Sequence, residues 1–192
     1  MKYFDPIVVA MTSLYSISTM RNAQLNGHAS GVSSGQKAVI YGKSLSNIQI
    51  ELELTQILDP ISRNEWPEKI ELFKLPLNEP KKDPNTMQTG RMGITWAIFS
   101  HAYLTYFESI KDTITRQHGS NWNTWTIEEL KFAYQIRNAC AHSGKVHFAN
   151  PNATGVTWKG ATYQPSDNGR KIFDDLSVVE ILLLMEEVED AL

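Results

Sequence analysis

With 192 residues, 42% of them hydrophobic, and five tryptophans, the chain can bury one sizeable core and is too short for two ordinary domains. A single cysteine, Cys140, excludes an internal disulfide framework and fits a reducing compartment, and no apolar run approaches bilayer length. The net charge of −3 gives no sign of a broadly basic protein, but its distribution is uneven. From Leu130 to Ser166 there is no Asp or Glu, while Lys131, Arg137, Lys145 and Lys159 are present. That asymmetry predicts a local anion-binding surface on an otherwise acidic chain, with a chance lull in acids as the plainer alternative.

Near the N-terminus, Asp5 and Pro6 interrupt the apolar stretch that continues from Ile7 to Met11, which is too short for a signal-peptide core. A cytoplasmic protein with no membrane segment is expected. Asp5–Pro6 reads as a cap followed by the proline of a helix start, and Ile7, Met11, Leu14 and Ile17 recur at helical spacing. The Gly/Ser-rich stretch from Asn26 to Gly35 then reads as a flexible connection, since it lacks the lysine and the strand of a phosphate-binding loop.

Gln36 to Leu58 fits two periods. "IQIELEL" alternates like a strand, yet Leu45, Ile48 and Leu52 share a helical face, as do Ile50, Leu54 and Ile57. Its glutamates, glutamines and leucines and its length predict a helix. Residues 59–89 form a proline-rich, loop-rich insertion in which only "EWPEKIELFKL" suggests a short helix. From Thr89 to His118 a long helix is expected, with Trp96, Phe99, Tyr103, Tyr106, Ile110 and Ile114 as its buried stripe and Gly119 as its stop. His101 and Glu108 lie off that stripe and are expected in solvent. Thr126 with Glu129 has the form of a capping box opening the next helix. Val156, Trp158 and Tyr163, then "DNG" and "RKIF", predict a hairpin near 155–173, and Leu176 to Leu192 predicts an acidic amphipathic helix. The expected architecture is mainly α: one domain over 1–192, a four- to five-helix bundle with a small β-hairpin before the C-terminal helix.

One stretch carries chemistry: "YQIRNACAHSGKVHF", Tyr134 to Phe148. On a helical wheel at about 100° per residue, Phe132, Ala133, Ile136, Ala139 and Cys140 form an apolar arc. Lys131, Tyr134, Gln135, Arg137, Asn138 and His142 gather opposite, with no carboxylate among them. Asn138 and His142 are four apart and so are surface neighbours, which lets the amide orient the imidazole. Arg137 lies about 7.5 Å along the axis from His142, within reach of its long side chain. The run Ala139 to Ala141 is small enough for another helix to approach. The plain alternative is an exposed polar face near a helix C-terminus, where cations are favoured anyway.

"RNACAH" resembles the R-x4-6-H signature of the HEPN superfamily, with the polar Asn138 directly after Arg137, near the end of a helix that follows a long aromatic-rich one. The resemblance is strongest over Gly90 to Gly144 and the final helix. It implies a metal-independent endoribonuclease without cofactors, acting in a toxin, antiviral-defence or RNA-processing role. It further implies RNA as the substrate, a homodimer with two motifs facing one cleft, and a protein antitoxin or regulator as a further partner. Carried over, Arg137 and His142 are the catalytic pair and Asn138 the orienting residue, with Lys131, Tyr134 and Lys145 as RNA contacts. One toxin subclass continues the motif with a tyrosine that is modified; Ser143–Gly144 here departs from that pattern. The superfamily also includes members without nuclease activity, so a non-catalytic partner-binding module of the same fold is the alternative.

The chemistry fits the residue types. RNA carries its own nucleophile, the 2′-hydroxyl, so cleavage needs proton transfer, which histidine suits, and a cationic clamp on the phosphorane, which arginine suits. A metal hydrolase is a weaker rival, because His142 and His147 have no carboxylate beside them in sequence. A Cys140 nucleophile is weaker still, since Cys140 falls on the apolar arc.

Overall fold

The computed structural model describes residues 37–78 and 91–192, together with Pro6, Val9, Ala10 and Ser13, which are helical. The other expected residues of the N-terminal helix and the stretch Asn26 to Gly35 lie outside the described residues. Among the described residues four further α-helices are present: α1 (Thr55–Ser62), α2 (Arg91–His118), α3 (Glu128–Ala141) and α4 (Val178–Asp190). Five strands accompany them: β1 (Lys37–Tyr41), β2 (Ile48–Glu53), β3 (Phe73–Pro76), β4 (Val156–Trp158) and β5 (Ala161–Tyr163).

These elements correct the expected mainly helical bundle. The strands form two antiparallel sheets, one of three strands in the order β1-β2-β3 and one of two, β4-β5, so the fold is an α/β mix. The difference arises chiefly in Gln36 to Leu58, where a helix was expected. There β2 pairs with β1 from Gln49 opposite Tyr41 to Glu53 opposite Lys37, and with β3 from Ile48 opposite Pro76 to Glu51 opposite Phe73. Alternation then serves both sides of the sheet: Ile50 and Leu52 enter the core, while Glu51 and Glu53 stay partly in solvent. Helix propensities differ by only a few tenths of a kcal/mol per residue, and cross-strand pairing with burial outweighs them. Likewise "EWPEKIELFKL" forms no helix; its last residues supply β3.

Three helices hold the remaining core. In α2 the aromatic stripe is buried as expected from Phe99 to Ile114, with Trp96 only half-buried, and Gly119 stops the helix at φ +83°. Its tyrosines fix the neighbours: the Tyr103 hydroxyl donates to Ala133 O at 3.1 Å, and the Tyr106 hydroxyl to Met185 O at 2.8 Å. Ser100 bonds Cys140 and Phe107 packs edge-on to Tyr134, so α3 runs back antiparallel along α2. The expected Thr126–Glu129 box does not form, because α3 begins one residue later with Ile127 at its N-cap and no side-chain cap.

The hairpin is present but turns earlier than expected. Its two-residue turn is Lys159–Gly160, with φ of +47° and +89°, as a tight right-twisted hairpin requires; "DNG" lies beyond it. Phe132 of α3 packs between Trp158 and Tyr163 of this hairpin, at 5.6 Å from each ring. Helix α4 is capped by Ser177 and, rather than being amphipathic, buries every residue from Val178 to Met185. Glu180 is among them. Its carboxylate accepts from the backbone N–H groups of Ser177 and Lys43, each at 2.8 Å, and from the Ser177 and Ser46 hydroxyls. Burial pushes this carboxyl up, but those four donors outweigh it and hold it below the ordinary range. It thereby ties the β1–β2 turn to the start of α4.

Candidate active surface at the end of helix α3

Helix α3 separates its two faces as the wheel predicts. Phe132, Ala133, Ile136, Ala139 and Cys140 are buried, and Arg137, Asn138 and His142 reach the surface. Ala139 and Cys140 are used by the protein's own packing, which leaves Ala141 as the exposed small residue. Gln135, expected on the polar arc, is also buried.

Arg137 is not the unpaired cation the sequence suggests. Its Nε donates to Glu108 Oε1 at 2.8 Å, its Nη2 donates to the same oxygen, and its Nη1 reaches Asn138 Oδ1 at 3.4 Å. Burial pushes the Glu108 carboxyl up, yet the hydrogen bonds and charges of Arg137 and Lys111 hold it below the ordinary value. Three of the guanidinium's five N–H groups are thus engaged and its plane is fixed, which leaves two donors for a ligand. Asn138 orients this guanidinium; the described hydrogen bonds place no contact between Asn138 and the His142 ring.

His142 is the C-cap. Its backbone N–H bonds Asn138 O and Ala139 O, at 3.1 and 3.0 Å, and its side chain is exposed. The chain then reverses through two left-handed residues, Ser143 (φ +59°) and Gly144 (φ +74°), and Gly144 N–H closes the turn on Ala139 O at 2.8 Å. A side chain at Gly144 would meet Phe173 at 2.6 Å, so the approach of that ring requires glycine. The reversal brings His147 back onto His142, with ring centroids 3.8 Å apart and planes 28° from parallel. Lys145 follows, directly opposite Lys171 in an antiparallel bridge. Neither lysine has an ion pair among the described residues.

The other expected RNA contacts sit differently. Lys131 pairs with Glu128 at 2.9 Å, one turn from the helix start and roughly 16 Å along the axis from His142. Tyr134 is half-buried in an aromatic cluster, stacked on Trp122 at 5.6 Å and edge-on to Trp125 at 5.7 Å. The structure therefore brings Arg137 together with Asn138, and His142 with His147 and Lys145, while Lys131 stands apart.

Sequence reasoning missed Glu108, His147 as a neighbour of His142, and Lys171. The five-residue spacing of His142 and His147 was the only signal for any of them. No group of three or more His, Cys, Asp or Glu able to hold a metal is found among the described residues. Beside the helix end opens a cavity of about 700 Å³, lined in part by Trp96, Ser100, Cys140, Ser143, Lys171 and Phe173. Burial pushes the Cys140 thiol up to about 12, only partly offset by its bond with Ser100, which argues against a nucleophilic role. No described helix is long and apolar enough to cross a membrane. No family model, curated protein or solved structure matches this chain.

Proposed function

We propose that the protein is a metal-independent endoribonuclease and that the end of α3 is its active surface. The observation that carries this reading is the stack of the exposed His142, which caps the helix of a pre-oriented Arg137, on the half-buried His147, one short turn from the facing Lys145 and Lys171. In the proposed reaction the RNA 2′-oxygen attacks the adjacent phosphorus while one imidazole takes its proton. The P–O5′ bond breaks, and the departing 5′-oxygen receives a proton from a protonated imidazole. The products are a 2′,3′-cyclic phosphate and a 5′-hydroxyl, and DNA is not cut. Lys145 and Lys171 attract the backbone, and the two free N–H groups of Arg137 meet the developing charge on phosphorus. The reading includes a homodimer in which two such surfaces face one cleft.

A second reading has its own observation: the Arg137–Glu108 pair bolts α3 to α2, which a non-catalytic partner-binding module would also use. Incubation of purified protein with mixed RNA in EDTA separates the two. Wild type should yield cyclic-phosphate ends, and His142→Ala should lose about 10²–10⁴-fold in rate while its melting temperature stays near wild type, as suits an exposed residue. Light scattering at micromolar concentration should give the mass of a dimer. Wild-type protein that cuts no RNA would favour the bolt.

A further inference from the structure

We infer that the cavity beside the α3 terminus is a nucleotide subsite, which takes the base and one phosphate of the RNA next to the cleaved bond. The RNA identity of the ligand rests on the nuclease reading; the pocket itself rests on separate observations. Its volume of about 700 Å³ suits a small organic ligand. One wall is aromatic: the rings of Trp96 and Phe173 stack on each other with centroids 4.0 Å apart and planes 11° from parallel, so each covers one face of the other and leaves its outer face. Phe173 is held there by its contact with Gly144, at the turn that follows His142. A nucleobase of any identity has a π-face with which to extend such a stack on its outer side.

The rest of the lining mixes apolar Ala97, Leu104 and Cys140 with polar groups. Ser100 and Ser143 bring hydroxyls, His101 an imidazole and Asp174 a carboxylate. Base edges also mix donors with acceptors, and a carboxylate accepts from an exocyclic amine. A purely apolar ligand would leave these groups unanswered, and a simple anion would meet Asp174 unfavourably. Lys171 supplies the cation. It lines the cavity and stands directly across the bridge from Lys145. Like charges directly opposite in a bridge repel, and a phosphate placed between them relieves that repulsion. Lys145 in turn follows His142 by three residues, its N–H bonded to His142 O at 3.2 Å, so a phosphate at the lysine pair lies next to the candidate catalytic imidazoles. The chain thus runs continuously from aromatic wall to lysine pair to histidine pair.

The test is a titration of the full chain with the four nucleoside 3′-monophosphates, the matching nucleosides and inorganic phosphate, followed by the indole N–H signals of the tryptophans. Mononucleotides should shift the Trp96 signal. Trp125 and Trp158 serve as internal controls, since their N–H groups donate to Gly119 O and Glu187 Oε2, away from the cavity lining, and should not move. Lys171→Gln, at an exposed position, should weaken mononucleotide binding about tenfold while the fold is kept. Nucleosides should bind more weakly than their monophosphates. A Trp96 signal that no nucleotide moves, phosphate binding as tightly as a nucleotide, or unchanged affinity in Lys171→Gln would each overturn the inference. RNA cleavage without mononucleotide binding removes the subsite alone. Mononucleotide binding without RNA cleavage removes the nuclease reading and leaves a nucleotide pocket.

Discussion

Glu180→Gln should destabilise the fold by about 2–4 kcal/mol, although it preserves shape and removes a charge from the interior. In the wild type each carboxylate oxygen accepts two bonds: Oε1 from Lys43 N–H and the Ser46 hydroxyl, Oε2 from Ser177 N–H and the Ser177 hydroxyl. An amide replaces one of those oxygens with an NH₂ group whichever way it sits. A serine hydroxyl beside it can rotate and accept, but the backbone N–H of Lys43 or Ser177 cannot. One buried donor left without a partner costs about 1–3 kcal/mol, and loss of charge assistance in the two surviving bonds adds about 1. Urea unfolding followed by tryptophan fluorescence measures the sum. The pH dependence gives a second check. The folded carboxyl is held below its ordinary value, so its contribution is complete above that value and is lost as pH falls through the lowered one. Wild type and variant should therefore converge in acid. A variant within 0.5 kcal/mol of wild type at neutral pH, a margin well below the cost of a single unpaired buried donor, or curves that stay parallel into acid, would refute the argument.

Two further perturbations probe the site. Glu108→Gln should cost only about 0.2–1 kcal/mol, because Glu108 is exposed and the pair is screened, yet on the nuclease reading it should lower kcat more than it raises KM, since Arg137 loses its orientation. A stability loss with kcat unchanged would mark the pair as structural only. At the reversal after α3, Gly144→Ala and Ser143→Gly should act in opposite directions in urea unfolding. The first places a methyl 2.6 Å from Phe173 at a φ of +74° and should destabilise by at least about 1–2 kcal/mol. The second relieves a left-handed serine and should stabilise by up to about 1 kcal/mol; destabilisation would show that Ser143 makes a compensating contact.

What could be read from the chain divides by how far apart the interacting residues lie. The long helix α2 was legible because Phe99, Tyr103, Tyr106, Ile110 and Ile114 all face one layer, and the buried and exposed faces of α3 were legible for the same reason. The stretch Gln36 to Leu58 was not. Both periods fit it locally, and the choice is made by β3, some twenty residues on, and by Glu180, more than a hundred residues on. Helix α4 looked amphipathic because its acids suggested a wet face, whereas Glu180 is enclosed by donors from two other segments. At the site, Glu108 meets Arg137 only through the register of α2 on α3. Lys171 reaches Lys145 only through the backbone pairing of two segments 26 residues apart in the chain. His147 was within sight but depends on the left-handed pair Ser143–Gly144, whose serine gives no sign of the conformation it adopts.

The pairing of Arg137 divides the work of anion binding on this surface. With Glu108 against it, the guanidinium adds little net positive potential, so long-range attraction of a polyanion falls to Lys145 and Lys171, which have no ion pair among the described residues. Arg137 acts instead through geometry, at the short range of its two free donors. The two roles predict different responses to salt. Each phosphate contact made by a lysine contributes about 0.7 to the slope of log K against log salt for single-stranded RNA. Lys145→Gln and Lys171→Gln should each lower the slope by about that amount. Removing both partners, Arg137→Ala with Glu108→Gln, should change it little, because the pair carries no net charge, while it slows cleavage strongly. Lys131→Gln should leave the slope unchanged, since Lys131 is paired with Glu128 and stands roughly 16 Å from His142 along the helix. Filter binding of a non-cleavable 2′-deoxy or 2′-methoxy oligonucleotide over a range of salt concentrations measures all four variants without interference from cleavage. If Lys131→Gln lowers the slope as much as Lys145→Gln, the RNA path runs along the length of α3, and the division of roles proposed for its end does not hold.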